Sequence, residues 1–157
     1  MGQQQLILLV LATVIVGIAI IIGIRAFNEN SIKANNDAII QDMVRMANDA
    51  QAWKQKPAPF GGQAENGPPD TQKIDPANYT GASFTFLGYA EVGGIYTNLN
   101  GSFKLTPAAT GLTIDGCNPT KDNHATIVVN GLSDADITNT DVDLGTNTTC
   151  TAADPAL

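Results

Sequence analysis

Hydrophobic positions divide this chain instead of being spread along it. From Leu6 to Ile24 the sequence reads LILLVLATVIVGIAIIIGI, with no charged residue and Thr13 as its only hydroxyl. Aliphatic residues fall on every side of such a segment, which predicts a helix enclosed all round by lipid or protein. At 1.5 Å per residue it spans about 28 Å, enough for the hydrocarbon core of a bilayer. After Arg25 the pattern narrows to one stripe. Ile32, Ile39, Met43, Met46, Ala50 and Trp53 recur at helical spacing, with Lys33, Asp37, Asp42, Arg45, Asp49 and Lys54 elsewhere on the wheel. Methionines at this spacing are core filler, and Trp53 reads as the helix's anchor under whatever it packs against. No proline intervenes before Lys56-Pro57-Ala58-Pro59 and Gly61-Gly62, so one helix is expected from about residue 2 to about residue 54, loosened near Gly17 or Gly23.

Beyond the helix the period changes. Residues 57–82 are dense in Pro, Gly, Asn and Asp and predict a long irregular connection. Short β-like runs follow at Ser83 to Leu87, Gly94 to Thr97, Ser102 to Leu105, Leu112 to Ile114 and Thr126 to Val129, with Asn100-Gly101 as a hairpin signal between two of them. Four or five short strands against one amphipathic helix make an α+β chain with an antiparallel sheet. The divisions are then 1–25, a hydrophobic membrane or filament-core helix; 26–56, its amphipathic continuation; and 57–157, a β-rich head. At 157 residues there is no room for a second independent core.

Eight basic against fifteen acidic residues give a net charge of −7, which disfavours binding dominated by nucleic-acid phosphates, and no basic patch is evident. Cys117 and Cys150 lie outside any metal-type spacing. In an Asn/Thr-rich head on an export-type helix they read either as a structural disulfide or as two unrelated thiols. A bridge closing a loop of roughly 33 residues would stabilise the head by about 3 to 4 kcal/mol.

The apolar segment admits three readings: a cleavable signal, a permanent anchor, or a helix that starts in a membrane and ends in a fibre. Only Met1-Gly2-Gln3-Gln4-Gln5 precedes it, without the basic residues of a secretory signal. For a plain anchor, Arg25 on the far side would place the head in the cytoplasm, against the disulfide-type head. The conflict resolves if a short basic leader has been removed ahead of Met1. Here the residues resemble the type IV pilins. Mature members begin at the start of a hydrophobic helix with a polar residue near the fifth position; Gln5 stands where most bacterial members carry glutamate, followed by Leu6 and the aliphatic run. The glutamate is thought to neutralise a neighbour's N-terminal amine, whereas a neutral glutamine can only hydrogen-bond to it.

The resemblance implies an extracellular homopolymer packed through Met1, Gln5, Leu6, Val10, Val14, Gly17 and Ile21. It also implies a variable loop at 57–82, a methylated N-terminus and a C-terminal loop closed by Cys117–Cys150. Its partners would be further copies of the chain, an inner-membrane assembly machinery and a prepilin peptidase, with the subunit held in the membrane before assembly. A pseudopilin of a secretion system and a membrane-anchored extracellular binding module are the alternatives.

Candidate chemistry is sparse. No nucleophile, base and orienting group come together, so no catalytic residue and no cofactor is expected. The single histidine, His124, is expected at the surface. Asp134, Asp136, Asp141 and Asp143 supply hard oxygen ligands for Ca²⁺ but lack the spacing of a calcium loop, and a solvated acidic loop is the competing reading. Sequons at Asn78, Asn100 and Asn147 offer glycosylation positions.

Overall fold

The computed structural model describes residues 2–62 and 75–144. One helix, α1 (Gly2–Gln55), runs without interruption through Gly17 and Gly23, so the expected loosening there does not occur. Thr13 donates its hydroxyl to the Val10 carbonyl at 2.8 Å, satisfying the one polar side chain of the apolar run without a partner from elsewhere.

The head packs on the second half of α1. Asn36, Ile39, Met43, Met46, Ala47, Ala50, Trp53 and Lys54 are buried, at steps that keep them on one side of the helix. Five antiparallel strands are described, β1 (Ile95–Thr97), β2 (Ser102–Ala108), β3 (Gly111–Asn118), β4 (Asn123–Val129) and β5 (Ile137–Leu144), and they lie side by side in chain order. Phe103, Leu112, Ile114, Ala125, Ile127 and Val129 line the side that meets α1. One close approach is at Gly116, where a Cβ would lie 2.7 Å from Met43 Sδ and 2.9 Å from Ile39 Cγ2. That absence of a side chain lets α1 settle onto the middle of the sheet.

Three expectations are corrected by the fold. Ser83 to Leu87 is not a strand: Phe84–Leu87 forms a short helix, α2, capped by Ser83 Oγ accepting from Phe86 N and closed by Gly88 in the left-handed region. The capping serine and the following glycine outweigh the β-branched and aromatic content of the run. The acidic stretch 134–143 is not a solvated loop, because most of it is β5, paired with β4 across a bulge between Thr126 and Ile127. Lys54, expected on the polar side, is buried with its Nζ 5.3 Å from the centre of the Tyr79 ring. Burial lowers its pKa, an effect partly opposed by Asp75.

The hairpin at Asn100-Gly101 also differs in detail. Its loop is four residues long, 98–101, and none of them has a positive φ. The turn is made by Asn98, whose Oδ1 accepts the N–H groups of Asn100 and Gly101 at 2.8 and 3.1 Å.

Candidate assembly surface

Two halves of one helix live in different surroundings. From Leu6 to Ile24 no described residue is buried, and the large aliphatic side chains stand about half to two-thirds exposed. By length and composition this part of α1 can cross a membrane. The head first grips the helix near residue 31. Lys121 Nζ donates to Ser31 Oγ at 2.8 Å, and Asn123 Nδ2 donates to Asn35 Oδ1 at 3.1 Å. Below that grip α1 stands alone, an apolar shaft of several turns in rigid continuity with the core of the head.

The grip itself is a network of amides. Asn35 Nδ2 and Asn118 Nδ2 both donate to the Asn100 carbonyl, at 3.0 and 2.8 Å. Asp42 Oδ2 accepts from the side-chain amides of Asn98 and Asn100 at 2.8 and 2.7 Å. Bonds of this kind to a carboxylate are stronger than those between neutral groups. At the other end Gln51 Nε2 donates to the carbonyls of Gly131 and Ser133, and Tyr79 Oη donates to Gly131 O at 2.7 Å. Burial and the Asp136 carboxylate push the Tyr79 phenol up to about 12. A charge or a strand boundary can be read locally, but this network joins residues 35, 42, 98, 100, 118 and 123, and only the folded chain brings them together. The one signal present in the sequence is asparagine at the β1–β2 and β3–β4 turns.

Of the expected assembly residues, Gln5, Leu6, Val10, Val14, Gly17 and Ile21 all lie exposed on the shaft, and Met1 lies outside the described residues. Nothing approaches the Cα of Gly17 within the space a Cβ would sense. Of the disulfide pair, Cys117 is fully buried on the side of the sheet away from α1, while Cys150 lies outside the described residues.

His124 is not at the surface. It stands opposite Cys117 across the β3–β4 ladder and is 1 % exposed, and Ser102, Asp115 and Cys117 on the same side of the sheet are buried with it. Its Nε2 is 3.8 Å from Asp115 Oδ1, and among the described residues neither ring nitrogen has a hydrogen-bond partner.

The four aspartates are spread over a turn and a strand. Asp134 and Asp136 belong to a short 3₁₀ turn, where Asp136 accepts from Ser133 Oγ at 2.6 Å and Ser133 N at 3.0 Å, which holds its pKa below the usual carboxylate range. Asp141 and Asp143 are strand residues opposite Thr126 and His124. Among the described residues no group of three or more acidic, histidine or cysteine side chains is arranged to hold a metal ion. Asn78 Oδ1 accepts from Thr80 N at 3.0 Å, within its own sequon. The Asn100 amide nitrogen, where a glycan would attach, is bonded to Asp42. Asn147 lies outside the described residues.

No protein-family model, curated protein or solved structure matches this chain. The fold itself, a long apolar N-terminal helix carried into an antiparallel sheet, is consistent with a pilin-like subunit.

Proposed function

We propose that this chain is the structural subunit of an extracellular filament of the type IV pilus kind, polymerising through the shaft of α1. The observation that carries the reading is the single unbroken helix with two surroundings: a naked apolar half from Leu6 to Ile24 and a half that forms one wall of the head's core. A simple tether would need no rigid connection between anchor and head. A filament does, because each head must be held at a fixed angle to the shaft that sets its place in the array.

Before assembly the shaft is shielded by lipid, in an inner membrane. Exchanging lipid for neighbouring shafts gains little hydrophobic free energy, so close packing between helices and an energy-driven assembly machinery supply what transfer does not. A prepilin peptidase would process the subunit before assembly. Gln5, neutral where a carboxylate is usual, would pair with a neighbour's N-terminal amine by hydrogen bonding alone. In the exported head, Cys117 and Cys150 would form the disulfide that ties β3 to the C-terminal region. Its full burial at Cys117 suits a structural bridge better than a reactive thiol.

The test is Val14→Asp. Val14 is exposed on the shaft, more than four turns of helix from the head's contact at Ser31. An aspartate there costs about 2.5 to 3.5 kcal/mol in a membrane-spanning helix and would be unpaired in a packed bundle. The variant should lose fibres while Trp53 fluorescence shows the head still folded. Fibres in normal number would refute packing through the shaft.

A further inference from the structure

The side of the sheet away from α1 is buried in one place only. By register Thr97, Ser102, Cys117, His124 and Asp143 form one row across all five strands on that side. In the middle of the row Ser102, Cys117 and His124 are 2 %, 0 % and 1 % exposed, and Asp115 in the next row is buried with them. Thr97 at the β1 end is exposed, and two rows further along the same side Thr106 and Thr138 are exposed again. The described helix that packs on the sheet, α1, covers the opposite side. Side chains stand roughly perpendicular to a sheet, so an imidazole on a bare face keeps much of its ring in water. Burial this local requires a cover that crosses β4, β3 and β2 at the His124 row.

The chain continues from the right place to supply one. β5 ends at Leu144, opposite Asn123 and one residue past the partner of His124. From β5, Cys117 lies two strand spacings away, about 10 Å, and Ser102 three, about 14 Å. The six residues from Leu144 to Cys150 reach up to about 20 Å when extended, so Cys150 can come to Cys117 by way of His124 with length to spare. Among the described residues no cysteine is free. The other stretch outside the described residues, 63–74, leaves and returns beside the last turn of α1, where Gly62 N donates to the Pro57 carbonyl and Asp75 acts on Lys54. Both of its ends lie on the helix side of the sheet. Residues 145–157, GTNTTCTAADPAL, carry Leu157 as their only large aliphatic side chain. So polar a segment buries too little apolar surface to offset the entropy of lying flat, and its hold must come from Cys150.

We infer that residues 145–157 cross this row as a strap over His124, clamped by a Cys117–Cys150 bridge and released when that bridge is reduced. The inference takes the bridge from the function proposed above and adds its seat and its consequence; it does not depend on the filament. An added dithiol opens the clamp by exchange: the S–S bond becomes two thiols while the dithiol closes to its own disulfide. Clamped, the strap keeps water from an imidazole whose nitrogens have no hydrogen-bond partner among the described residues. Released, it leaves His124 open to solvent, while the core between α1 and the sheet, on the other side, stays packed.

His124 is the chain's single histidine, so acylation by diethyl pyrocarbonate reads the cover at one position. The full chain in detergent micelles is compared oxidised, reduced and freed of reductant, and as Cys150→Ser, with Trp53 fluorescence reporting the folded head. Both opened forms should acylate His124 about tenfold faster or more than the oxidised parent. Equal rates with a folded head, or fast acylation of the oxidised parent, would overturn the strap. A second measurement needs no substitution and decides even where Cys150→Ser does not fold: nuclear Overhauser contacts of the imidazole ring in the oxidised parent. They are expected to Thr146, Asn147, Thr148 or Thr149; contacts to residues 63–74 instead, or to neither stretch, would overturn it. Non-reducing peptide mapping of the same sample should find Cys117 joined to Cys150. Unjoined cysteines would remove the bridge and the strap together, whereas a bridge present with His124 uncovered would sink the strap alone.

Discussion

The close contact between helix and sheet at Gly116 gives a sharp test of how the head is held. At Gly116 a methyl group would meet Met43 Sδ at 2.7 Å, Ile39 Cγ2 at 2.9 Å and Phe103 Cδ1 at 3.0 Å. All three neighbours are buried and belong to the core, so Gly116→Ala overpacks the helix–sheet contact from three directions. Overpacking of this kind costs about 1 to 3 kcal/mol, and the thioether of Met43, as the most adaptable neighbour, places the expectation near 2 kcal/mol. Met43→Ala alone should cost about 2 to 5 kcal/mol through the cavity it leaves. Combined with Gly116→Ala the two should cost less than their sum, because the new methyl occupies part of the vacated space; a coupling of about 1 kcal/mol or more is expected. Trp53, the chain's single tryptophan and a member of the same core, reports unfolding by fluorescence in denaturant titrations of the full chain in detergent micelles. A Gly116→Ala variant as stable as the parent, or a cycle additive to within about 0.5 kcal/mol, would show that α1 does not rest on β3 as described.

Two further outcomes follow from the polar ends of the contact. Asp42→Ala removes the acceptor for two side-chain amides and should destabilise the head by about 2 to 3 kcal/mol, measured by the same titration, with faster hydrogen exchange at Asn100 and Gly101. Tyr79 has its folded-state pKa raised to about 12, so its contribution is fully present below pH 10 and is lost as pH rises from about 10 through about 12. Alkaline unfolding curves should therefore be less steep over that window in Tyr79→Phe than in the parent; identical slopes would contradict a buried phenol bonded to Gly131.

The features legible in sequence were those with a period. The apolar run from Leu6 to Ile24 and the stripe from Ile32 to Trp53 stand where repetition placed them, and four of the described strands overlap runs visible as β-like. Residues governed by single local contacts were harder. At Phe84 to Leu87 one serine cap and one glycine decide for helix over strand. At 137–144 threonine, asparagine and aspartate hide a strand whose pairing with β4 is set by tertiary context, and the same pairing leaves the four aspartates unable to act as one loop. His124 appeared exposed because its polar neighbours suggested a turn, whereas the ladder turns it to a buried side of the sheet. The amide network around Asn100 left only its asparagines as a local sign, because its members come from four separate elements and turns.

The central claim is that α1's naked half becomes the core of a fibre, and electron microscopy of material sheared from cells, with mass spectrometry of the subunit's N-terminus in the same sample, tests it most directly. The account predicts fibres a few nanometres wide whose subunit carries a processed, methylated N-terminus. A chain found only in membranes, with an unprocessed N-terminus and no fibres, would contradict it and favour a permanently anchored module.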